Sequence, residues 1–194
     1  EFRRVLFRSA GINWSRFGGN EGIWRLSRNL KDLGIPATLF CNGRSAEVWP
    51  EAVAAFAKAG NDVAAHGYLQ DQTLFSMTPE RERETIKKTL DILEKTARKR
   101  PTGWVTPIYG WSENTLEYLT EAKLAWCCDS LDATAPHWKE TKAGKMLMIP
   151  SSDFVDNRAL RASPRIYFDV YKDMFDYLHA CEPGALINLG VHTH

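Results

Sequence analysis

The feature that most constrains this chain is a regular exchange of short, continuously apolar runs with longer stretches carrying a helical apolar stripe. Ala37–Cys41 (ATLFC), Asp62–His66 (DVAAH), Gly103–Pro107 (GWVTP), Leu124–Cys128 (LAWCC), Lys145–Pro150 (KMLMIP) and Ala185–Val191 (ALINLGV) read as strands. Between them, Glu21–Leu33, Glu47–Ala59, Thr78 to about Arg98, Ser112–Glu121 and Pro164–Cys181 read as helices. Thr78-Pro79-Glu80 supplies an N-cap, a proline at the first helical position and an early acid, while Gly34 and Gly60 supply stops. A strand without polar alternation is buried on both faces, and strand–helix exchange places such strands in a parallel sheet. The expected fold is therefore α/β, either an open doubly wound sheet or an incomplete barrel.

In parallel α/β folds, ligands gather at the C-terminal ends of strands. Polar residues collect at those ends here: Asn42, His66, Asp129 and Asp132, then Ser151, Ser152, Asp153 and Asp156, and finally His192 and His194. Their placement predicts one shared cavity. Hydrophobic residues are 44% and charged residues 25%, with a net charge of +1, so no broad electrostatic surface for nucleic acid or anionic lipid is expected. No apolar run is long enough to span a bilayer. The four cysteines form no CxxC pair, which points to free thiols in a reducing, cytoplasmic setting. Glu1–Ser9 (EFRRVLFRS) shows no clean period and reads as a non-native or disordered segment, leaving residues 10–194 as one domain.

The segments GIPATLF, GNDVAAHGY, RPTGWVTPIYG, CCDSLDATAPHW, MIPSSDFVDN and INLGVHTH occur in this order. Together they resemble the polysaccharide deacetylase family (carbohydrate esterase family 4-like), nearest its allantoinase-like branch. The resemblance implies a distorted seven-stranded β/α barrel, here incomplete: a first strand bearing Thr-Phe-Asp-Asp is expected before Gly11, and the C-terminal end also reads as cut. It further implies hydrolysis of a non-peptide amide, with a carbohydrate or small-ureide substrate. In metal-dependent members an Asp and two His at i and i+4 hold the ion. His66 fits the first His, but Gln70 stands at the second, with Asp71 as the fallback ligand. The expected cofactor is none or a weakly held divalent metal, without tightly bound zinc, and His66 is the metal-ligand candidate of an incomplete site.

Thr106-Pro107-Ile108-Tyr109 departs from the family's Arg-Pro-Pro-Tyr, removing the guanidinium that orients a catalytic Asp. The resemblance makes His66, His192, Asp129 and Asp132 the catalytic candidates, with His192 the acid for the leaving nitrogen. Tyr109, Trp138, Asp153 and Asp156 are the substrate-binding candidates, Trp138 as a flat wall. Unpaired edges beside Ala37–Cys41 and Ala185–Val191 predict poor solubility or a homo-oligomer. The alternative reading is a catalytically degenerate family member serving as a ligand-binding or structural module.

Overall fold

The apolar runs at residues 37–41, 62–66 and 124–128 all enter one sheet, the last two inside it and the first as a partly exposed edge, where Phe40 is 43% exposed. The computed structural model describes residues 16–151, 155–156 and 163–193. Its elements are α1 (Ile23–Leu33), β1 (Thr38–Cys41), α2 (Gly43–Val48), α3 (Pro50–Lys58), β2 (Asp62–Ala65), α4 (Pro79–Ala97) and β3 (Gly103–Trp104). They continue with α5 (Thr115–Glu121), β4 (Trp126–Ser130), β5 (His137–Thr141), β6 (Gly144–Pro150) and α6 (Pro164–Cys181). The strands form one sheet in the order β1-β2-β3-β4-β6-β5. All neighbours are parallel except β5, which pairs antiparallel with β6. Among the described residues the sheet does not close, and β1 and β5 are its edges. The fold is α/β, an open barrel.

Helix α4 covers the sheet with Ile86, Leu90 and Leu93, which join Trp104, Leu119, Cys127 and Met146 in the main core. Its start is held by the Thr78 hydroxyl, which accepts from Arg81 N at 3.4 Å. Helix α1 ends where Gly34 turns left-handed (φ 66°) and donates to Leu30 and Lys31 carbonyls. Packing is tight where β3 meets β4: a Cβ on Gly103 would lie 1.9 Å from the Trp126 ring. That register, Trp104 opposite Cys127, carries Thr106 to the level of Asp129 two residues on.

Three expectations require correction. Ala185–Val191 is not a strand of the sheet; Gly190 makes one isolated bridge with Val155, and Leu186 N donates to Thr134 O at 2.9 Å. Its backbone bonds go to separate loops, so no ladder builds. The third strand stops at Trp104, because Pro107 opens a tight turn through Tyr109. The Glu47–Ala59 helix is two helices, broken at Trp49 (φ −126°, ψ 57°) ahead of Pro50. The hairpin strand β5 adds an element with no sequence counterpart; His137–Thr141 is mostly solvent-facing, so burial left no apolar run to read. Among the described residues, no helix is long and apolar enough to cross a membrane.

Candidate functional site

The residue that follows β2, His66, is fixed before anything binds. Its Nδ1 lies 2.8 Å from the Val105 carbonyl. A carbonyl only accepts, so Nδ1 carries the proton and Nε2 keeps a lone pair. The side chain of Gln70, one helical turn's spacing along the chain, also hydrogen-bonds the ring. Burial holds the imidazole below its ordinary 6.5, against the Val105 carbonyl, the Asp129 charge and Gln70, which all favour the charged form. The charge of His192 acts in the same direction as burial. His66, Asp129 and His192 therefore share one electrostatic environment.

The main chain behind His66 is set by its neighbours. Asn42 Nδ2 donates to the His66 carbonyl, and Gly43 N donates to Gly67 O at 2.9 Å. Gly67 is left-handed (φ 66°), and a Cβ there would lie 2.6 Å from Pro107 Cγ. Both facts demand glycine in the His66-Gly67-Tyr68 motif. Gly67→Ala is expected to destabilise the protein by about 1–3 kcal/mol and to depress activity by displacing His66. Thermal unfolding and turnover, measured on the same preparation, check both effects.

Asp129 is buried near the C-terminal end of β4. Thr106 N donates to its Oδ1 at 2.8 Å, Thr106 Oγ1 donates to Oδ2 at 2.6 Å, and Cys127 Sγ donates to Oδ2 at 3.2 Å. Trp104 Nε1 in turn donates to Thr106 Oγ1 at 3.0 Å. Burial raises the Asp129 carboxyl above its ordinary value, opposed by the two Thr106 donors, the Cys127 thiol and His66. Burial also pushes the Cys127 thiol well up, so it stays a donor. The missing guanidinium is thus answered by Thr106, a role the sequence reading overlooked.

His192 meets Asp156 twice. Its Nδ1 lies 2.5 Å from Asp156 Oδ1, and its backbone N donates to Oδ2 at 2.7 Å. A carboxylate acceptor at Nδ1 makes that nitrogen the donor and fixes the orientation of the ring. Asp156, a substrate-binding candidate, is bonded to His192 and so fixes that ring. The neighbouring Thr193 carbonyl packs on the π-helical turn Gly18–Gly22, where a Cβ on Gly22 would lie 1.5 Å away. Tyr109 Oη reaches Ser151 Oγ at 3.0 Å, and the loop beneath it is left-handed at Ile108 (φ 46°) and Tyr109 (φ 53°).

Two candidates stand apart. Asp132 is exposed and accepts from Ser130 Oγ at 2.8 Å, which holds its carboxyl low, whereas Asp129 is buried. Trp138 is 64% exposed on edge strand β5, and no ring contact ties it to the site among the described residues. Asp153 and His194 lie outside the described residues. Among the described residues, no group of three His, Cys, Asp or Glu could hold a metal ion. His66 with Gln70 is a poor donor set for one, so the described residues do not fit a bound metal.

His66 gives a pH signature. Its folded-state pKa is depressed, so the unfolded chain takes up the proton first as pH falls through 6.5. Stability is therefore complete above that value and is lost on acidification below it. Asp129, raised from 3.8, has the opposite sign at lower pH. Comparing denaturant midpoints of the wild type and His66→Asn between pH 8 and 5 isolates the His66 contribution. The wild type should lose stability over this range and the variant should lose less.

Residues 16–126 match the family described as polysaccharide deacetylase. Over 108 residues the chain is 35% identical to the peptidoglycan deacetylase of Helicobacter pylori, covering 56% of this chain and 36% of that protein. It is 31% identical over 118 residues to a peptidoglycan-N-acetylglucosamine deacetylase of Bacillus cereus, covering 59% and 40%. The chain thus spans under half the length of these curated relatives. The solved structure of Puue allantoinase is 28% identical with a TM-score of 0.82, covering 92% of this chain and 61% of that one. A CE4 family pseudoenzyme of Bacillus anthracis shares the fold alone, at 16% identity and a TM-score of 0.63, covering 89% and 50%.

Proposed function

Because this chain belongs to the polysaccharide deacetylase family, we propose that it hydrolyses an N-acetyl group on a hexosamine, releasing acetate and leaving a free amine. The observation that carries the reading is the pairing of Asp156 with His192 beside a neutral His66. Water positioned at His66 Nε2 attacks the acetyl carbonyl, and His66 takes the water's proton. His192, held by Asp156, gives a proton to the leaving nitrogen as the carbon–nitrogen bond breaks. Asp129 offsets the charge that forms on His66. Two imidazoles with different partners thus divide base and acid work. Both relatives named for peptidoglycan support a glycan over a small ureide. Three buried free thiols and an exposed fourth suit a reducing, cytoplasmic setting.

A second reading, a ligand-binding member without catalysis, is favoured by Gln70 where an imidazole ligand is expected. An acetate-release assay on N-acetylglucosamine oligomers, run beside allantoin, decides between them. Acetate from the oligomers supports the proposal; turnover of allantoin alone overturns the substrate class. No turnover of either by folded protein favours the non-catalytic member.

A further inference from the structure

The segment that carries His192 reaches the site without a ladder to hold it. Its backbone bonds run to loop residues: Leu186 N donates to Thr134 O at 2.9 Å, and Gly190 O accepts from Asp156 N at 3.1 Å. A side chain ties the segment to the sheet instead. Asn188 donates through Nδ2 to the carbonyl of Pro150, the last residue of β6. The same nitrogen lies 3.7 Å from Cys128 Sγ in β4, so the two amide N–H bonds have an oxygen and a sulfur to face. Pro150 and Cys128 are both buried. Burial pushes the Cys128 thiol up to about 11, and its S–H points to the same Pro150 carbonyl at 3.8 Å.

Pro150 is also where the chain leaves the sheet toward Asp156, six residues on, and Asn188 stands four residues before His192. The Asn188–Pro150 bond therefore joins the two segments at one end, and the Asp156–His192 pair joins them at the other. Between these ties Gly190 bridges Val155, so closely that a Cβ on Gly190 would lie 2.6 Å from Val155 Cγ1. Four residues of chain carry little slack, so a slip at Asn188 moves His192 with it. We propose that Asn188 is a positioning residue for the hydrolysis: by pinning its segment to Pro150 it sets where the His192 ring stands against Asp156 and the leaving nitrogen. The inference rests on the deacetylase reading, in which His192 is the acid. Misplacing a reacting group by about 1 Å can cost about 10²-fold in rate, so a distant tie has leverage on the chemistry. A purely structural Asn188, there only to satisfy a buried carbonyl, would affect stability and leave the orientation of His192 alone.

The test combines acetate-release kinetics on N-acetylglucosamine oligomers with nitrogen-15 resonance of the His192 ring at pH 8. It compares the wild type with Asn188→Leu, Asn188→Ala and the control Ile86→Val, a change in the core under α4 that costs stability without touching the segment. In the wild type the ring should carry its proton on Nδ1, the tautomer that Asp156 selects. Asn188→Leu, similar in size but without the N–H, should show both tautomers. Its kcat should fall about 10- to 10²-fold with KM within about twofold. Asn188→Ala should move the same way and serves if Asn188→Leu does not fold. Ile86→Val should match the wild type in tautomer and kcat. Wild-type values in both Asn188 variants, or the same loss in Ile86→Val, overturn the inference and leave the deacetylase reading standing. A wild type whose ring does not favour Nδ1 also overturns it. If the wild type releases no acetate, a tautomer change confined to the Asn188 variants supports the pinning of His192 while the deacetylase reading falls.

Discussion

Replacing His192 by Asn is expected to lower turnover of an N-acetylated sugar by about 10²- to 10⁴-fold, the usual worth of a positioned acid. The fold should survive, because His192 lies outside the sheet strands of the described residues and its side chain is 41% exposed. Asn can retain the backbone N–H bond to Asp156 Oδ2 while removing the transferable proton. Asp156→Asn should fall in the same direction but less far, since it removes orientation and charge rather than the acid itself. Steady-state kinetics with a thermal melt on each variant check both statements. Loss of kcat with an unchanged melt is the expected pattern.

The second large effect is on stability. Asp129→Ala leaves Thr106 N–H, the Thr106 hydroxyl and the Cys127 thiol as buried donors facing a void. Each orphaned donor costs energy, and the combined loss is expected at about 2–4 kcal/mol. For a chain of this size that is a fall of roughly 5–15 °C in the thermal midpoint. Asp129→Asn, which keeps one carbonyl oxygen for Thr106, should cost less. Scanning calorimetry on the two variants separates the hydrogen bonds from the charge: equal losses would assign the effect to charge alone.

The central sheet was readable because its strands are short and apolar throughout, as ATLFC, DVAAH and LAWCC show. Thr78-Pro79 likewise announced the start of α4 through capping chemistry. The hairpin strand β5 was not readable, since HWKET lies on an exposed edge where burial imposes no pattern. Ala185–Val191 has a strand's composition, but its hydrogen bonds run to scattered loop partners, which composition does not encode.

The site was readable as a set of strand ends and less so as a set of pairs. His66 and Asp129 come from parallel strands of one sheet, whereas His192 arrives on a segment outside the sheet and is held by Asp156. Asp156 as the partner of His192, and Thr106 as the holder of Asp129, depend on contacts across 36 and 23 residues. The second follows once Trp104 is known to face Cys127, so register was the missing information rather than residue type. Asp132, named a candidate through the family resemblance, has a local partner as well, the Ser130 hydroxyl two residues back, which is turn chemistry that Asp often shows.

The most direct check is nuclear magnetic resonance titration of the His66 ring in the wild type and in His192→Asn. If the two imidazoles face each other across a single cleft, removing the second charge will raise the His66 pKa. An unchanged His66 titration in a folded variant would mean that the rings do not sense one another, and the shared catalytic centre would be lost.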